Sequence, residues 1–362
     1  MRFLKPFSPI LVLAALGFTA SHATKFARSI SLAPVPAFAQ AAPPETSDPA
    51  PSDPAPVDPG ISPNVQPTPQ TAALTTRQQE YEARLRDRDK ALSAGLKGRL
   101  LRVATPYSAH LKRKVAAWVY LPPGYEQSTA RYPVAYILHG APGEGIDCFS
   151  QGHVHRVAES MILSHRISPL ILVGWDGQGP GGAEDITNFL NRRDGYDMED
   201  FVVQDLVPWV DQTYRTVPDA RSRAMIGFSA GGYGAINLGL KHPDVWNVLA
   251  SHAGFFDPED DFSEMTKILG PISTSLSLWQ ANNPLLLARQ LGQGTRLHLY
   301  MDVGRSDPLL SEFKKMAAEL KARHVDFKAH VFAGAHSWKY LSLHYRNSLL
   351  FADQSWKEMA RG

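Results

Sequence analysis

Cysteine is nearly absent from this sequence, in which Cys148 is the only one among 362 residues. A single cysteine excludes an intramolecular disulfide framework, a Cys-x-x-Cys redox motif and a metal site built from clustered thiolates. An excess of one charge is absent as well, because 37 Lys and Arg residues oppose 35 Asp and Glu residues. The net charge of +2 gives no basic field of the kind that nucleic-acid binding requires, so we expect no nucleic-acid partner.

A long hydrophobic run is also lacking at the N-terminus, where the apolar segment from Ile10 to Ala20 covers only 11 residues. This segment follows basic residues and precedes a small-residue site at Ala23, an arrangement typical of a secretory signal peptide rather than a membrane span. We predict a signal peptide over residues 1–23, and a second small-residue site at Ala37–Ala39 leaves the cleavage position open. The expected location is therefore secreted, periplasmic or on the cell envelope. The alternative is an uncleaved anchor or a buried N-terminal helix.

Proline is concentrated after the signal peptide, since residues 34–69 contain 12 of the 28 prolines. Such a stretch lacks backbone donors and has little apolar area to bury. We therefore predict a disordered linker over residues 24–75, which could associate with the cell envelope. A capping-box pattern at Thr76 and an apolar stripe after it predict a lead-in helix over residues 76–97. Residues 98–362 have the size of a single folded domain.

Short β-rich segments and longer helical segments mostly alternate within this domain. Alternation of this kind is typical of the α/β class, with a mostly parallel central sheet and helices on both faces. The first two strands, at residues 100–105 and 115–121, suggest an antiparallel hairpin. We predict further strands at 132–139, 170–175, 222–227, 245–252, 296–303 and 326–332, and helices at 198–214, 231–241, 309–324 and from 338 onward.

The sharpest local pattern is Gly-x-Ser-x-Gly at residues 227–231. An apolar strand leads into the pattern, and small residues open a helix directly after it. This context is typical of a nucleophile elbow, in which a strained turn presents the serine hydroxyl above the sheet and the glycines avoid collisions across the turn. Ser229 is therefore a candidate nucleophile; capping of the following helix is its alternative role.

A serine hydroxyl needs a base, and the base needs a group that orients it. His336 follows the last predicted strand, while Asp302 and Asp307 follow the strand before it. Because the carboxyl ends of parallel strands share one edge of a sheet, these side chains can meet Ser229 there. We favour Asp307 as the acid because it lies further into its loop, whereas Asp302 could hold the turn through its own backbone. His252 also follows a strand, and we expect it to be a pocket residue without assigned chemistry.

An oxyanion formed by serine attack on an ester carbonyl needs two backbone donors. One is expected from Ala230, the residue after the candidate nucleophile. The other is expected from the loop at residues 140–143, with Ala141 as the donor. We expect His139 to fix this loop rather than to act as a base.

Four groups of motifs, in consistent order and spacing, cover most of residues 98–362. They are Tyr136–Ala141; Asp200–Pro208 with Tyr214–Thr216; Gly227–Ala235 with His242–Pro243; and Gly334–Trp338. Through them the chain resembles the esterase D-like α/β-hydrolases, a family that includes S-formylglutathione hydrolases, enterochelin esterases, feruloyl esterases and mycolyltransferases. The resemblance implies an α/β-hydrolase fold, a triad of Ser229, Asp307 and His336, and an oxyanion hole at Ala141 and Ala230. Two positions depart from the family: many relatives carry Met in place of Ala230 and an aromatic residue in place of Cys148.

The motifs and the resemblance together imply an exported serine esterase that hydrolyses a small-molecule carboxylic ester through an acyl-enzyme. One alternative is an acyltransferase of the mycolyltransferase type acting on envelope glycolipid. Another is a catalytically silent, secreted binding module on the same scaffold. The oligomeric state stays open.

No cofactor and no metal are expected for this chemistry. Asp147, His153 and His155 could imitate a ligand set, but a loop with two solvent-facing histidines is the more common arrangement. Several aromatic residues could line an apolar or sugar-stacking site, although core packing is the more common role for each. They are Trp175, Tyr233, Phe255, Phe256 and Trp338.

Overall fold

The computed structural model of the chain describes residues 69–292 and 294–361. The predicted signal peptide and most of the predicted linker lie outside these residues. Within the described ranges, no helix combines the length and the apolar character that crossing a membrane requires.

Strands and helices follow one another largely as the sequence pattern predicts. The strands are β1 (Arg99–Ala104), β2 (Ala116–Leu121), β3 (Val134–Leu138), β4 (Ile171–Trp175), β5 (Arg223–Phe228), β6 (Val248–His252), β7 (His298–Gly304) and β8 (Phe327–Phe332). The helices are α1 (Pro69–Ser93), α2 (Asp147–Ser150), α3 (Val154–Leu163), α4 (Met198–Asp200), α5 (Val207–Thr213), α6 (Ala230–Lys241), α7 (Phe262–Leu269), α8 (Ile272–Ala281), α9 (Pro284–Ala288), α10 (Leu310–Ala322) and α11 (Trp338–Met359). A π-helical stretch, Phe201–Leu206, joins α4 to α5, and 3-10 turns occur at Ala220–Ser222 and Pro258–Asp261.

All eight strands form one sheet in the order β1-β2-β4-β3-β5-β6-β7-β8. β1 pairs antiparallel with β2, as predicted, and β2 pairs antiparallel with β4. The pairs from β4 through β8 are parallel. Every residue of β3, β4 and β5 is buried, which explains why these strands are almost continuously apolar.

Helices cover both faces of the sheet, and consecutive residues of β6 show which helix covers which face. A Cβ placed on Gly232 of α6 would lie 2.6 Å from Ser251 Oγ. The next residue, His252, instead contacts Ser348 of α11. Since neighbouring residues of a strand point to opposite faces, α6 and α11 lie on opposite sides of the sheet. The predicted α/β architecture is confirmed.

The helix before β1 starts earlier than the sequence predicts, at Pro69 rather than near Thr76. Its last turn packs on α3: Arg156 donates hydrogen bonds to the carbonyls of Ala91, Leu92 and Ala94, and His155 Nε2 lies 3.2 Å from the Leu92 carbonyl. These contacts satisfy carbonyls that the end of a helix leaves without partners. The helix is therefore joined to the domain through polar contacts that its narrow apolar stripe does not predict.

The helices α7–α9, within residues 262–288, form an insertion between β6 and β7 where the sequence pattern predicts no element. A second apolar cluster lies apart from the main core and contains Ala230. It also buries Met265, Ile268 and Leu269 of α7. Their spacing is that of one helical face and is the signal by which α7 could have been predicted. The insertion consequently adds apolar side chains close to the carboxyl edge of the sheet.

Candidate active site

The turn between β5 and α6 holds Ser229 in a backbone conformation that few residues adopt, with φ 57° and ψ −120°. A Cβ on Gly227 would lie 1.9 Å from the Gly231 carbonyl oxygen, so only glycine permits the two arms of the turn to approach this closely. The Ser229 N–H donates to the carbonyl of His252 on the neighbouring strand at 3.0 Å. The side chain of Ser229 is partly exposed at the carboxyl edge of the sheet. This geometry is that of a nucleophile elbow.

The structure brings Ser229, His336 and Asp307 into one hydrogen-bonded row. His336 Nε2 lies 2.9 Å from Ser229 Oγ. On the other side of the ring, His336 Nδ1 lies 2.9 Å and 3.1 Å from the two carboxylate oxygens of Asp307. The Asp307 side chain is fully buried, whereas that of His336 is 28% exposed. A carboxylate that accepts from Nδ1–H leaves Nε2 free to take the serine proton, which is the arrangement a general base requires.

Two further contacts fix Asp307 and His336. Asp307 Oδ1 accepts a hydrogen bond of 2.8 Å from the Leu309 N–H, so its carboxylate is held within its own turn. The His336 ring stacks on Phe228, the residue before the nucleophile, with centroids 4.7 Å apart. Both loops thus present their functional groups from packed positions rather than from free tips.

Asp302, the competing carboxylate, lies within β7 rather than in the turn after it. It is 1% exposed and accepts hydrogen bonds from Tyr300, Tyr340 and His252. His252 is fully buried, so the expectation that it lines the pocket is wrong. Register explains both outcomes: Asp302 pairs with His252 inside the sheet, where side chains point to the face that α11 covers.

The two expected oxyanion donors line one cavity. Ala230 is the first residue of α6, so its N–H has no partner one turn earlier in the helix. Ala141 and Ala230 line the same small cavity of about 10 Å³. Gly140 lies against the nucleophile, because a Cβ on it would be 3.3 Å from Ser229 Cβ. A tetrahedral oxyanion at a serine needs two backbone donors, and the positions of Ala141 and Ala230 are compatible with that requirement.

His139 connects this loop to the segment after β4. Its Nδ1 lies 2.7 Å from the Gly140 carbonyl, and its Nε2 accepts a hydrogen bond of 3.0 Å from the Gly177 N–H. The imidazole is therefore the neutral tautomer that donates from Nδ1. Burial lowers the pKa of His139, which keeps the ring in this neutral form.

Most of the aromatic residues suggested for the pocket are core residues. Trp175, Tyr233 and Phe256 are fully buried, and Phe255 is nearly so. Trp338 alone among the five is partly exposed; its ring lies 5.4 Å from that of Phe228. Three partly buried side chains pack on the second apolar cluster next to Ala230: Ala141, Ile272 and Leu309. The sequence pattern predicts Ala141 at the site but gives no signal for Ile272 or Leu309.

The histidines proposed as a metal-like set do not form one. His155 is buried on α3 and only His153 is exposed, so the expected loop with two solvent-facing histidines is wrong. Among the described residues, the ligand-type side chains that come within 4.8 Å of one another are His110, Asp197 and Asp200.

Cys148 is fully buried on α2. Burial raises the pKa of this thiol. The residue is consequently a packed, protonated side chain and not a reactive thiolate.

The sequence and the fold both relate the chain to known esterases. The model of the family described as "Putative esterase" matches residues 108–354. Esterase MT1326 of Mycobacterium tuberculosis is 30% identical over 147 residues, which are 40% of this chain and 30% of that protein. The chain thus spans less than a third of the length of this relative.

Solved structures with low sequence identity share the fold. A ferulic acid esterase superposes with a TM-score of 0.62 at 22% identity, covering 71% of this chain and 98% of that chain. An S-formylglutathione hydrolase from Agrobacterium tumefaciens gives a TM-score of 0.62 at 19% identity, covering 72% and 96%. These similarities confirm the α/β-hydrolase fold. Since the family match covers most of the folded domain, including the elbow and the loops of Asp307 and His336, the chain belongs to the esterase family.

Proposed function

We propose that the chain is a serine esterase that cleaves a carboxylic ester in two steps through an acyl-enzyme. The observation that carries this proposal is the His336 ring, whose two nitrogens lie 2.9 Å from Ser229 Oγ and 2.9 Å from Asp307 Oδ2. The membership of the chain in the esterase family and its α/β-hydrolase fold support the same reaction.

In the first step, His336 Nε2 takes the proton of Ser229 Oγ while this oxygen attacks the ester carbonyl. The carbonyl oxygen becomes an oxyanion that the N–H groups of Ala141 and Ala230 stabilise. The imidazolium, held by Asp307, then gives the proton to the departing alkoxide, and the alcohol leaves. In the second step water attacks the acyl-enzyme by the same route and releases the acid. The reaction needs no metal or cofactor.

The substrate that suits the site carries an apolar or aromatic group next to its ester. Ala141, Ile272 and Leu309 are partly buried apolar side chains that pack on the cluster containing Ala230, and we take them as one wall of the site. The partly exposed ring of Trp338 lies 5.4 Å from Phe228, on which His336 stacks. Apolar contact with such a wall stabilises a bound hydrocarbon or ring by about 25 cal/mol per Å² of area removed from water. The name of one structural relative, a ferulic acid esterase, supports aromatic esters as a substrate class.

The test measures hydrolysis of p-nitrophenyl acetate and of methyl ferulate by the wild-type chain and by three variants. We expect Ser229→Ala to abolish turnover and Asp307→Asn to lower kcat by about 10³- to 10⁴-fold, since the neutral amide no longer holds the required imidazole tautomer. Ser306→Ala, which changes an exposed serine in the loop of Asp307, is the matched control and should keep wild-type activity. Equal activity in wild type and Ser229→Ala refutes the assignment.

The same assay separates the alternatives. An initial burst of p-nitrophenol followed by a slower phase, together with an acetyl adduct on Ser229, supports the acyl-enzyme. Diversion of the acyl group to added glycerol or sugar at the expense of hydrolysis supports an acyltransferase. Silence of the folded wild-type protein on all esters supports the binding module.

Export and the domain boundaries belong to the same proposal. The short apolar run at Ile10–Ala20 and the small residues at Ala23 support removal of a signal peptide, followed by a linker that spaces the 98–362 domain from the envelope. We expect the mature chain from a secreting host to begin after Ala23 or after Ala39, as N-terminal sequencing would determine. Retention of Met1 in the cytoplasmic fraction contradicts this part of the proposal.

A further inference from the structure

A second Ser-His-Asp arrangement lies inside the domain, on the face of the sheet that α11 covers. His252 Nδ1 lies 2.9 Å and 3.0 Å from the carboxylate oxygens of Asp302, and His252 Nε2 lies 2.8 Å from Ser348 Oγ. The three residues are at most 1% exposed. Because no substrate can reach Ser348, this group, which we call the inner triad, cannot be a second active site.

The inner triad is joined to the nucleophile through the backbone of His252. The His252 carbonyl accepts the Ser229 N–H at 3.0 Å. The next residue, Ala253, donates its N–H to the Asp302 carbonyl at 2.7 Å. The end of β6 is therefore held between the nucleophile elbow on one side and β7 on the other.

Asp302 also reaches the loop that carries His336. Its Oδ1 accepts a hydrogen bond of 3.0 Å from the hydroxyl of Tyr340, in the first turn of α11. The Tyr340 N–H is bound in turn by the N-cap side chain of Ser337, the residue after His336, at 3.2 Å. Tyr340 is thus hydrogen-bonded both to Asp302 and to the residue next to His336.

The Tyr340 ring fills the space beside Gly334, in the same loop. A Cβ on Gly334 would lie 2.6 Å from Tyr340 Cδ2, and the φ of Gly334 is +144°. The Gly334 carbonyl accepts the Ser306 N–H at 2.9 Å, next to Asp307. Tyr340 therefore packs on the point where the loops of the acid and the base are joined.

We propose that His252 and Asp302 are positioning residues, which hold the loops of Ser229, Asp307 and His336 in the register that the reaction requires. A buried carboxylate is a strong tether because each hydrogen bond to a charged acceptor is about twice as strong as one between neutral groups. The inference rests on the proposed esterase function. It assigns a role to His252, Asp302 and Tyr340 that is separate from contact with the substrate.

Two tyrosines bound to the same carboxylate provide a matched comparison. Tyr340 joins Asp302 to α11, whereas Tyr300 lies two residues before Asp302 on the same strand and donates to Oδ2 at 2.7 Å. Both rings are buried at 3% exposure, and each phenylalanine variant removes one hydroxyl from Asp302. If only the loss of a buried hydrogen bond matters, the two variants behave alike. If Asp302 positions the catalytic loops, Tyr340→Phe is the more harmful to turnover.

The experiment measures kcat per active site, with sites counted by end-point labelling with a fluorophosphonate, so that unfolded protein does not lower the value. We expect Tyr340→Phe to lower kcat per site about 10-fold and Tyr300→Phe less than about 3-fold, with KM changed less than about 3-fold in both. Asp302→Asn should lower kcat per site by about 10- to 100-fold, because a displacement of about 1 Å near the reacting groups is enough for such a loss. If Asp302→Asn does not fold, the tyrosine pair decides alone.

Each outcome has a distinct meaning. Equal kcat per site for Tyr340→Phe and Tyr300→Phe, with an active wild type, overturns the positioning role and leaves the esterase function intact. An increase in KM without loss of kcat also overturns it, since it indicates an effect on substrate binding. A wild-type chain without a serine that the fluorophosphonate labels overturns the esterase function, and the positioning role with it.

Discussion

Replacement of Gly231 by alanine sets helix propensity directly against packing at the oxyanion loop. Gly231 is the second residue of α6, where alanine is intrinsically favoured over glycine by about 1 kcal/mol. The alanine Cβ, however, would lie 2.4 Å from the carbonyl oxygens of Leu138 and His139. Cβ atoms essentially never approach another heavy atom more closely than 3.0 Å, and these two distances are 0.6 Å shorter than that limit.

The atoms that the new methyl group meets belong to the backbone and cannot rotate away. Overpacking of this kind costs about 1–3 kcal/mol, so after the gain in propensity we expect Gly231→Ala to lower the free energy of unfolding by up to about 2 kcal/mol. The displaced segment leads directly to Gly140 and Ala141. Loss of one oxyanion donor costs about 10²- to 10³-fold in kcat, which is the effect we expect on activity.

Urea unfolding and p-nitrophenyl acetate kinetics measure the two effects on the same preparation. Gly292→Ala is the matched control, because a Cβ at Gly292 meets nothing within 4 Å. The control should keep the stability and kcat of the wild type. A Gly231→Ala protein that is as stable as the wild type and retains kcat within about 3-fold refutes the steric reasoning.

Three further predictions concern stability. Burial raises the pKa of Asp176 to about 6, above its ordinary value of 3.8. Ionisation of this carboxyl therefore destabilises the fold as the pH rises from about 4 to 6. In urea unfolding, Asp176→Asn should raise the free energy of unfolding by about 1–2 kcal/mol at pH 8 and by nothing measurable at pH 4. Equal gains at both pH values contradict it. Burial lowers the pKa of His155 from 6.5 to about 4. The free energy of unfolding should therefore fall by up to about 3 kcal/mol as the pH drops from 6.5 towards 4. His155→Gln should reduce this fall in urea unfolding measured across the pH range, and an unchanged pH dependence of the free energy of unfolding contradicts the argument. Glu159 accepts hydrogen bonds from the N–H groups of Lys97 and Gly98 and from the Tyr120 hydroxyl. Glu159→Ala should therefore lower the free energy of unfolding in urea by about 2–4 kcal/mol, whereas Ser160→Ala, on the exposed side of α3, should lower it by less than about 0.5 kcal/mol. Equal losses in the two variants refute the role of these hydrogen bonds.

The α/β class could be predicted because burial of a strand on both faces constrains its local sequence. Strands buried on both faces must be almost entirely apolar, and β3, β4 and β5 are, apart from Arg223 at the start of β5. The elbow was predictable for a similar reason, since the strained turn at Ser229 requires glycines at fixed positions on either side. The insertion α7–α9 was missed because its helices are short, with 8, 10 and 5 residues, so that an apolar face repeats only once or twice within each of them.

The sequence alone was enough to predict local structures: the strand–turn–helix of Ser229, and the loops that carry Asp307 and His336. Which of the two candidate carboxylates, Asp302 or Asp307, lies next to His336 depends on the tertiary structure. The pairing of Asp302 with His252 places the Asp302 side chain beneath α11, while the turn after β7 brings Asp307 to His336. Turn sterics and hydrophobic periodicity act over a few residues. The contacts of His336, by contrast, join it to Asp307 and Ser229, which lie 29 and 107 residues away in the sequence. Contacts between residues so far apart depend on the register of the sheet and on the packing of the helices.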